Sequence, residues 1–178
     1  MREDIEKILI DEEQIGKKIK EIGNNISRDY KGKDLILIGV LKGSVMYMAN
    51  LAKEIDIPCT MDFMSVSSYG NSTTSSGVVK ILKDLDASVE GKDVLIVEDI
   101  IDSGITLKYL QKYLRAKNPN SVEITTLLNK PERRKADIDV KYIGFEVPDY
   151  FLVGYGLDYA EKYRNLPYIG ILKEEIYK

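Results

Sequence analysis

The sequence predicts an α/β fold with a central twisted, mostly parallel sheet flanked by helices. Two apolar runs of strand length, LILIGV at 35–40 and VLIV at 94–97, lack polar alternation, which is typical of strands buried on both faces. Each run is followed by a short loop and then by apolar residues at helical spacing. Because alternating strands and helices with short connections form parallel sheets, the pattern indicates a doubly wound core.

The other elements follow from the same periodicities. An amphipathic helix is predicted where apolar residues recur at steps of three and four, after a capping-box pattern at Asp11 and Gln14. Its apolar residues are Ile15, Ile19, Ile22 and Ile26. Helices are also predicted at about 45–55 and 107–114, and a strand at 122–128. The C-terminal third is strand-like and is predicted to form an added small lobe, with aromatic residues Tyr142, Phe145, Phe151 and Tyr168.

Length and charge limit the class of protein. A chain of 178 residues, 44% of them hydrophobic, can bury one sizeable core but not two average ones, so we expect one domain over 1–178. The net charge is −3 and the two signs are mixed along the chain. This balance argues against a protein that binds nucleic acid through counterion release.

The sequence also predicts a cytoplasmic protein that does not enter a membrane. No stretch approaches the ~20 apolar residues of a membrane span, and the N-terminus has no apolar run of signal-peptide length. The single cysteine, Cys59, cannot form an intrachain disulfide and stands beside an apolar stretch. We expect it to be a buried thiol in a reducing compartment.

A polar segment of small residues, SSYGNSTTSSG at 67–77, interrupts the alternation of strands and helices. Such a segment has too little apolar surface to offset the entropy of ordering, so it is predicted to be a surface loop. In an enzyme, a loop of this kind is a candidate for a lid. We expect a mobile active-site loop at about 67–80.

The chain contains no histidine. This absence excludes a Ser-His-Asp triad and most zinc sites. Acid-base chemistry must therefore come from Asp, Glu, Lys or Tyr.

An acidic pair, Glu98 and Asp99, comes directly after the second apolar run. Ligands of open α/β sheets bind at the carboxyl ends of the strands, which is where this pair is predicted to lie. Two adjacent carboxylates suit either Mg²⁺ or the vicinal hydroxyls of a ribose. The sequence leaves both uses open.

The next five residues, from Asp102 to Thr106, are predicted to open a helix. Free backbone N–H groups, a glycine and two hydroxyl groups would then meet at one point, which favours a phosphate-binding site. The alternative is that Asp102 and Ser103 simply cap the helix. Neither GxxxxGK[ST] nor a complete GxGxxG occurs, which argues against P-loop NTPases and dinucleotide-dependent oxidoreductases.

The segment VLIVEDIIDSGIT at 94–106 resembles the phosphoribosyl pyrophosphate signature of the type I phosphoribosyltransferases. The similarity to the hypoxanthine-guanine members of that family extends over nearly the whole chain. It is carried by Leu41–Ser44, Ser68–Tyr69, Leu127–Pro131 and Asp149–Tyr155, and it continues to Asp158. The resemblance implies a type I core with a small hood lobe formed from the N- and C-terminal parts.

The resemblance also implies the reaction. The 5-phosphoribosyl group would pass from phosphoribosyl pyrophosphate to a 6-oxopurine base, hypoxanthine or guanine, with Mg²⁺ as the cofactor. The products would be IMP or GMP and pyrophosphate. By resemblance, the protein is expected to form a homodimer or homotetramer.

For the donor, the resemblance assigns the ribose hydroxyls and a metal to Glu98 and Asp99. The residues assigned to the 5′-phosphate are Asp102, Ser103, Gly104, Ile105 and Thr106. Pyrophosphate is assigned to the loop containing Lys42 and Gly43, in which the Leu41–Lys42 peptide can be cis, and to Arg164. A second Mg²⁺ is assigned to Asp158, and the lid to Ser68 and Tyr69.

For the acceptor, the resemblance assigns Asp102 to proton exchange at N7 of the purine. Lys130 would donate to the exocyclic O6, Phe151 would stack on the base, and the backbone near Leu152 would bind the ring edge. Taken alone, these residues have simpler interpretations: Lys130 as a surface lysine and Phe151 as a core residue. Likewise, Lys42-Gly43 is an ordinary turn, and Asp158 and Arg164 are exposed charges.

Two other classes of protein share parts of the pattern. One is a regulator that keeps the phosphoribosyl pyrophosphate fold as a sensor and binds nucleic acid, but no basic face or added segment is visible. The other is a receiver-like α/β signalling domain, which also gathers carboxylates at strand ends. The DSGIT segment after the acidic pair argues against the second class.

Overall fold

Two sheets organise the chain in the computed structural model, which describes residues 1–68 and 79–178. The strands are β1 (Ile5–Ile10), β2 (Leu35–Leu41), β3 (Cys59–Ser68), β4 (Val79–Lys83), β5 (Asp93–Ile101), β6 (Ser121–Asn129), β7 (Tyr142–Glu146), β8 (Leu152–Val153) and β9 (Ile169–Leu172). The helices are α1 (Glu12–Asp29), α2 (Val45–Glu54), α3 (Ile105–Arg115) and α4 (Glu174–Tyr177), with 3-10 turns at Arg2–Asp4 and Pro131–Arg133.

The larger sheet has six strands in the order β4-β3-β2-β5-β6-β7. All neighbours are parallel except β3 and β4, which are antiparallel. The predicted α/β fold with a mostly parallel sheet is therefore confirmed. The strands predicted at 35–40, 94–97 and 122–128 are β2, β5 and β6.

Successive residues of the central strands pack into different hydrophobic clusters. Leu35 and Leu37 of β2 join a cluster with α1 and α2, whereas Ile36 and Ile38 join a second cluster with α3. Side chains of a strand point alternately to the two faces of a sheet. Helices therefore cover both faces, which explains why β2 has no polar alternation.

The predicted start of the first helix is confirmed in detail. Asp11 is the N-cap of α1, and its carboxylate accepts a hydrogen bond from the Gln14 N–H at 2.8 Å. The Gln14 side chain accepts one from the Asp11 N–H at 2.9 Å. This reciprocal capping box satisfies two backbone donors that a helix otherwise leaves free. It fixes the helix so that Ile15 is buried at its first turn.

The smaller sheet forms the predicted lobe from the two ends of the chain. Its strand order is β1-β9-β8, and both pairings are antiparallel. A separate cluster that includes Val153 and Leu172 packs against Ile5 of β1. One part of the prediction was wrong: Tyr142 and Phe145 belong to β7, at the edge of the larger sheet. An edge strand resembles a separate lobe in sequence because only part of it is buried.

The sequence predicted that the acidic pair would come directly after a strand. In the structure, Glu98 and Asp99 lie inside β5. The pairing of β2 with β5 ends at Gly39 and Val97, but β5 continues alongside β6 as far as Ile101. Glu98 and Asp99 therefore lie on a stretch of β5 that is paired on one side only. The gap left by β2 opens a cleft at the carboxyl end of the sheet, where such folds bind ligands.

Cys59, expected to be buried, is half-buried at the first position of β3. Burial raises the pKa of the Cys59 thiol, which disfavours the reactive thiolate. Within residues 1–68 and 79–178, the helices are all too short or too polar to cross a membrane.

The capping box of α1 should contribute measurably to stability. Asp11→Ala removes the side-chain acceptor and should cost about 1 kcal/mol, which lowers Tm by about 2–4 °C for a chain of this size. Asp11→Asn keeps an oxygen acceptor and should stay close to the parent protein. Thermal unfolding followed by circular dichroism measures both. An equal loss in the two variants would contradict the capping role.

Candidate active site

Two adjoining pockets lie at the carboxyl end of the larger sheet. The first, of about 210 Å³, lies between the end of β5 and the start of α3. The second, of about 400 Å³, lies between β5 and the segments that contain Lys130 and Phe151. Ile100 and Asp102 line both pockets, so one short stretch of chain separates them.

The acidic pair stands at the back of these pockets. Glu98 lines the first pocket and Asp99 the second, and both are half-buried. Burial, followed by the negative charge of Asp99, raises the pKa of Glu98 well above its ordinary value. Burial also raises the pKa of Asp99, although its carboxylate accepts a hydrogen bond from the Ile100 N–H at 2.7 Å. The site thus holds two carboxylates whose charged forms require a cation or a donor.

The loop after β2 packs directly against this pair. A Cβ on Gly43 would overlap the Asp99 carboxylate, so a residue with a Cβ could approach this closely only by displacing that side chain. The Leu41–Lys42 peptide is cis, as the family resemblance allows. Lys42 itself is exposed, and its ammonium pairs with Glu161 at 2.8 Å. The loop is therefore part of the site rather than an isolated turn.

The predicted phosphate loop precedes α3, but Asp102 does not cap that helix. The helix begins at Ile105, its N-cap is Gly104 at φ 76°, and the side chain that bonds to its first residue is Ser103, whose hydroxyl accepts a hydrogen bond from the Ile105 N–H at 3.4 Å. The Ser103 carbonyl accepts hydrogen bonds from the Lys135 and Ala136 N–H groups at 2.9 and 3.0 Å. The capping interpretation of Asp102 was therefore wrong, and its side chain is 49% exposed in the cleft.

Most residues of the segment from Asp102 to Thr106 line the first pocket. Asp102, Ser103 and Gly104 are among the lining residues, whereas Ile105 is not. An α-helix leaves its first N–H groups without intrahelical partners, and its N-terminus carries a partial positive charge. The first pocket therefore offers hydrogen-bond donors suited to an anion.

Lys130 is buried, so its interpretation as a surface lysine was wrong. It is only 7% exposed. Its ammonium donates a hydrogen bond to the Tyr150 carbonyl at 2.8 Å and lies 3.8 Å from Asp102 and 3.6 Å from Asp149. Arg133 in turn pairs with Asp149 at 2.6 Å. The second pocket therefore contains a buried cation held between two carboxylates.

An aromatic group forms another side of the second pocket. Phe151 is 37% exposed, so its interpretation as a core residue was wrong, and its neighbour Leu152 is buried. The Phe151 ring stacks on Tyr177 at 4.7 Å between centroids and meets Tyr159 edge-on at 5.5 Å. Both Phe151 and Tyr177 line the pocket, which suits a flat ring as the ligand.

The charges after β8 are partly buried and paired, so their interpretation as exposed charges was wrong. Arg164 pairs with Asp158 at 3.0 Å and with Glu161 at 3.2 Å. It also donates a hydrogen bond to the Gly156 carbonyl at 2.7 Å. Asp158 lines the second pocket beside Asp99.

Several residues of the site had no signal in the sequence. Tyr177 lies beyond the last of the motifs and reaches the pocket through α4. Arg133 and Glu161 are members of charge clusters that only the tertiary structure brings together. Asp149 was part of a recognised motif, but no role followed from its position.

The carboxylates of the site suit a hard divalent cation, although they do not enclose one. Within the two described ranges, no group of three or more His, Cys, Asp or Glu side chains lies close enough to hold a metal ion. Mg²⁺ is commonly held by one or two carboxylates together with substrate phosphates. Glu98, Asp99 and Asp158 provide oxygen donors of that kind.

The predicted lid at about 67–80 lies mostly outside the described residues. Ser68 is the last residue of β3, and β4 begins at Val79. Tyr69 lies in the intervening segment.

Comparisons with known proteins extend over the chain rather than over one motif. A family model described as a phosphoribosyl transferase domain matches residues 7–160. The chain is 61% identical over 178 residues to the hypoxanthine-guanine phosphoribosyltransferase of Bacillus subtilis, covering 100% of this chain and 99% of that protein. It is 56% identical over 177 residues to the bifunctional protein TilS/HprT of Listeria monocytogenes, covering 99% of this chain and 27% of that protein.

A solved structure agrees with these similarities. A hypoxanthine phosphoribosyltransferase from Staphylococcus aureus superimposes with a TM-score of 0.98 at 54% identity. The superposition covers 100% of this chain and 97% of that one. Both sheets therefore have counterparts in that enzyme.

The raised pKa of Glu98 predicts a specific pH dependence of stability. At pH values between the ordinary and the raised pKa, folding takes up a proton at this carboxyl. The contribution of the Glu98 carboxyl to the free energy of unfolding is therefore fully present below the ordinary pKa of 4.5 and is lost as pH rises through the raised value. Glu98→Gln removes this loss. Without divalent cations near neutral pH, we expect a free energy of unfolding about 1 kcal/mol higher, or about 2–4 °C in Tm.

Thermal unfolding between about pH 5 and pH 8 measures this effect, since the raised pKa lies above the ordinary carboxyl range. Glu90→Gln is the control, because Glu90 is exposed in the turn before β5. Identical pH profiles for the parent protein and Glu98→Gln would contradict the prediction.

Proposed function

The chain belongs to the phosphoribosyltransferase family, and from this premise we propose that it transfers the 5-phosphoribosyl group from phosphoribosyl pyrophosphate to hypoxanthine or guanine. The products are IMP or GMP and pyrophosphate, which makes the reaction a step of purine salvage. One observation carries the proposal: a pocket suited to an anion adjoins a pocket with a buried cation and an aromatic ring, and Asp102 lines both.

The donor is proposed to bind in the first pocket and along the acidic pair. The 5′-phosphate takes the loop from Asp102 to Thr106, where the N–H groups at the start of α3 favour an anion. The hydroxyls of the ribose donate to Glu98 and Asp99, which compensates part of the cost of burying those carboxylates. Lys42, with the Gly43 backbone, and Arg164 contact the pyrophosphate group.

The acceptor base is proposed to occupy the second pocket. Phe151 stacks on the purine ring, and the backbone of Leu152 binds its edge. Lys130 donates a hydrogen bond to O6 of the base. Because an ammonium group donates but cannot accept, this contact favours 6-oxopurines over adenine. Lys130 is held in place for this contact by the Tyr150 carbonyl and by Asp102 and Asp149.

Asp102 is proposed to exchange the proton at N7 as the bond to N9 forms. Three features support this role: Asp102 does not cap α3, its side chain is half-exposed, and it lies at the boundary of the two pockets. The Lys130 ammonium lies 3.8 Å from the Asp102 carboxylate, so the groups proposed to contact O6 and N7 of the base are neighbours. As positive charge develops on the ribose, the acidic pair also stabilises it.

Mg²⁺ is the proposed cofactor, held by Glu98, Asp99 and Asp158 together with oxygens of the donor. When bound, it supplies positive charge that stabilises pyrophosphate as the leaving group. The residues of the chain then have two tasks, which are to orient the two substrates and to keep water from the ribosyl carbon. We propose that Ser68 and Tyr69 belong to a loop that closes over the site for the second task.

Other features of the protein are proposed from the family resemblance and the composition. We propose that residues 1–178 form one domain, that the protein assembles as a homodimer or homotetramer, and that it works in the cytoplasm. The half-buried thiol of Cys59 is compatible with a reducing compartment.

An assay of nucleotide formation tests the proposed function. With phosphoribosyl pyrophosphate and Mg²⁺, the protein should convert hypoxanthine to IMP or guanine to GMP, while adenine should give no detectable AMP. Liquid chromatography of the products measures all three, with xanthine as a further 6-oxopurine. Absence of product with every 6-oxopurine would contradict the proposal, and efficient AMP formation would contradict the role of Lys130.

Asp102→Asn should separate proton transfer from binding. The amide keeps the size of the side chain but cannot act as an acid or a base, so turnover should fall by about 100-fold or more. The Kd for phosphoribosyl pyrophosphate, measured by calorimetry, should change by no more than about threefold. Asp137→Asn makes the same change at an exposed position outside both pockets and should keep full turnover. Turnover near the parent value in Asp102→Asn would remove it from this role.

A further inference from the structure

Glu161 lies between the two cations that are proposed to bind pyrophosphate. One oxygen of its carboxylate is 2.8 Å from the Lys42 ammonium, and the other is 3.2 Å from the Arg164 guanidinium. Lys42 and Arg164 come from distant parts of the chain, so the carboxylate bridges two separate segments of the site. Neither the sequence motifs nor the proposed function gives this glutamate a role.

The backbone around Glu161 holds the carboxylate in this position. Tyr159 and Lys162 exchange backbone hydrogen bonds at 3.2 and 3.0 Å, and the two residues between them have positive φ, 49° at Ala160 and 63° at Glu161. This is the geometry of a type I′ turn, in which Asn and Gly are favoured. A glutamate at such a position is held against its own backbone preference.

The turn is also tied to a residue of the metal-binding set. The Glu161 N–H donates a hydrogen bond to the Asp158 carboxylate at 2.9 Å. The same residue therefore contacts Asp158 through its backbone, and Lys42 and Arg164 through its side chain. All three belong to the set of residues proposed to bind pyrophosphate and its Mg²⁺.

Arg164 does not need Glu161 for its orientation. Its guanidinium also donates to the Gly156 carbonyl at 2.7 Å and pairs with Asp158 at 3.0 Å. Lys42, by contrast, pairs with no other acid within the part of the chain that the structure describes. Its side chain is 66% exposed and that of Glu161 is 63% exposed, so the ion pair is weak and easily exchanged.

We propose that Glu161 is an internal competitor of pyrophosphate. In the free protein its carboxylate pairs with Lys42 and Arg164, and the pyrophosphate group of the donor displaces it. When the reaction ends, the carboxylate returns to the two cations and competes with the pyrophosphate product, which favours product release. The inference rests on the proposed function, because it requires that these cations bind pyrophosphate.

Glu161→Gln tests the proposal by direct binding. The amide keeps the length of the side chain but removes the competing charge, so the Kd for Mg²⁺-pyrophosphate should fall. An exposed ion pair of this kind is worth at most about 1 kcal/mol, so the expected change is about two- to fivefold. Isothermal titration calorimetry measures it, and the KM for phosphoribosyl pyrophosphate should fall in parallel.

Two further variants complete the experiment. Glu161→Asn also removes the charge and suits the positive φ of this position, so it should bind Mg²⁺-pyrophosphate more tightly as well, even if Glu161→Gln is poorly folded. Glu13→Gln is the matched control, because it removes an exposed ion pair with Lys17 on α1, outside both pockets. Its Kd should equal that of the parent protein.

The outcomes distinguish this inference from the proposed function. If the parent protein forms IMP or GMP but Glu161→Gln and Glu161→Asn bind Mg²⁺-pyrophosphate no more tightly, the competitor role is wrong. Weaker binding by both variants would also overturn it, since Glu161 would then position the cations instead. If the parent protein forms no nucleotide from any 6-oxopurine and binds no pyrophosphate, the proposed function fails, and this inference fails with it.

Discussion

The whole site depends on the point at which β2 and β5 separate. As long as the two strands pair, their side chains are buried in hydrophobic clusters on both faces of the sheet. Beyond Gly39 and Val97 these two strands no longer pair, while β5 continues alongside β6. Polar residues can therefore appear on a strand without breaking the core. The acidic pair, the loop after β2 and the start of α3 all meet in the space that this separation creates.

Placing two carboxylates in that space has an electrostatic cost. Two adjacent half-buried carboxylates raise each other's free energy, and burial raises the pKa of both Glu98 and Asp99. The backbone at Gly43 packs so closely against Asp99 that a Cβ at this position would overlap the carboxylate. The cost is offset when hydroxyl donors or a divalent cation occupy the cleft. The free protein is thus less stable than its fold would allow, which is common at binding sites.

Local features were predictable from the sequence, whereas contacts between distant segments were not. The capping box at Asp11 involves residues three apart, and the structure confirms it. The burial of Lys130 required tertiary contacts, since its partners Tyr150 and Asp102 lie on other segments. Family resemblance identified Lys130 where periodicity did not. Neither approach identified Tyr177, because a tyrosine near a chain end has no distinctive spacing.

The boundary between the pockets constrains how the specificity of such a protein can change. Ile100 and Asp102 line both pockets, so a substitution at either position alters the first pocket, suited to an anion, and the second pocket, which contains the aromatic ring. Phe151 and Leu152 line the second pocket but not the first, and they come from the small lobe. Substitutions at these two positions can therefore change the fit of the base without altering the first pocket. The larger sheet, through Lys130, then keeps the contact to the exocyclic group of the base, while the lobe adjusts the shape of the pocket around the ring.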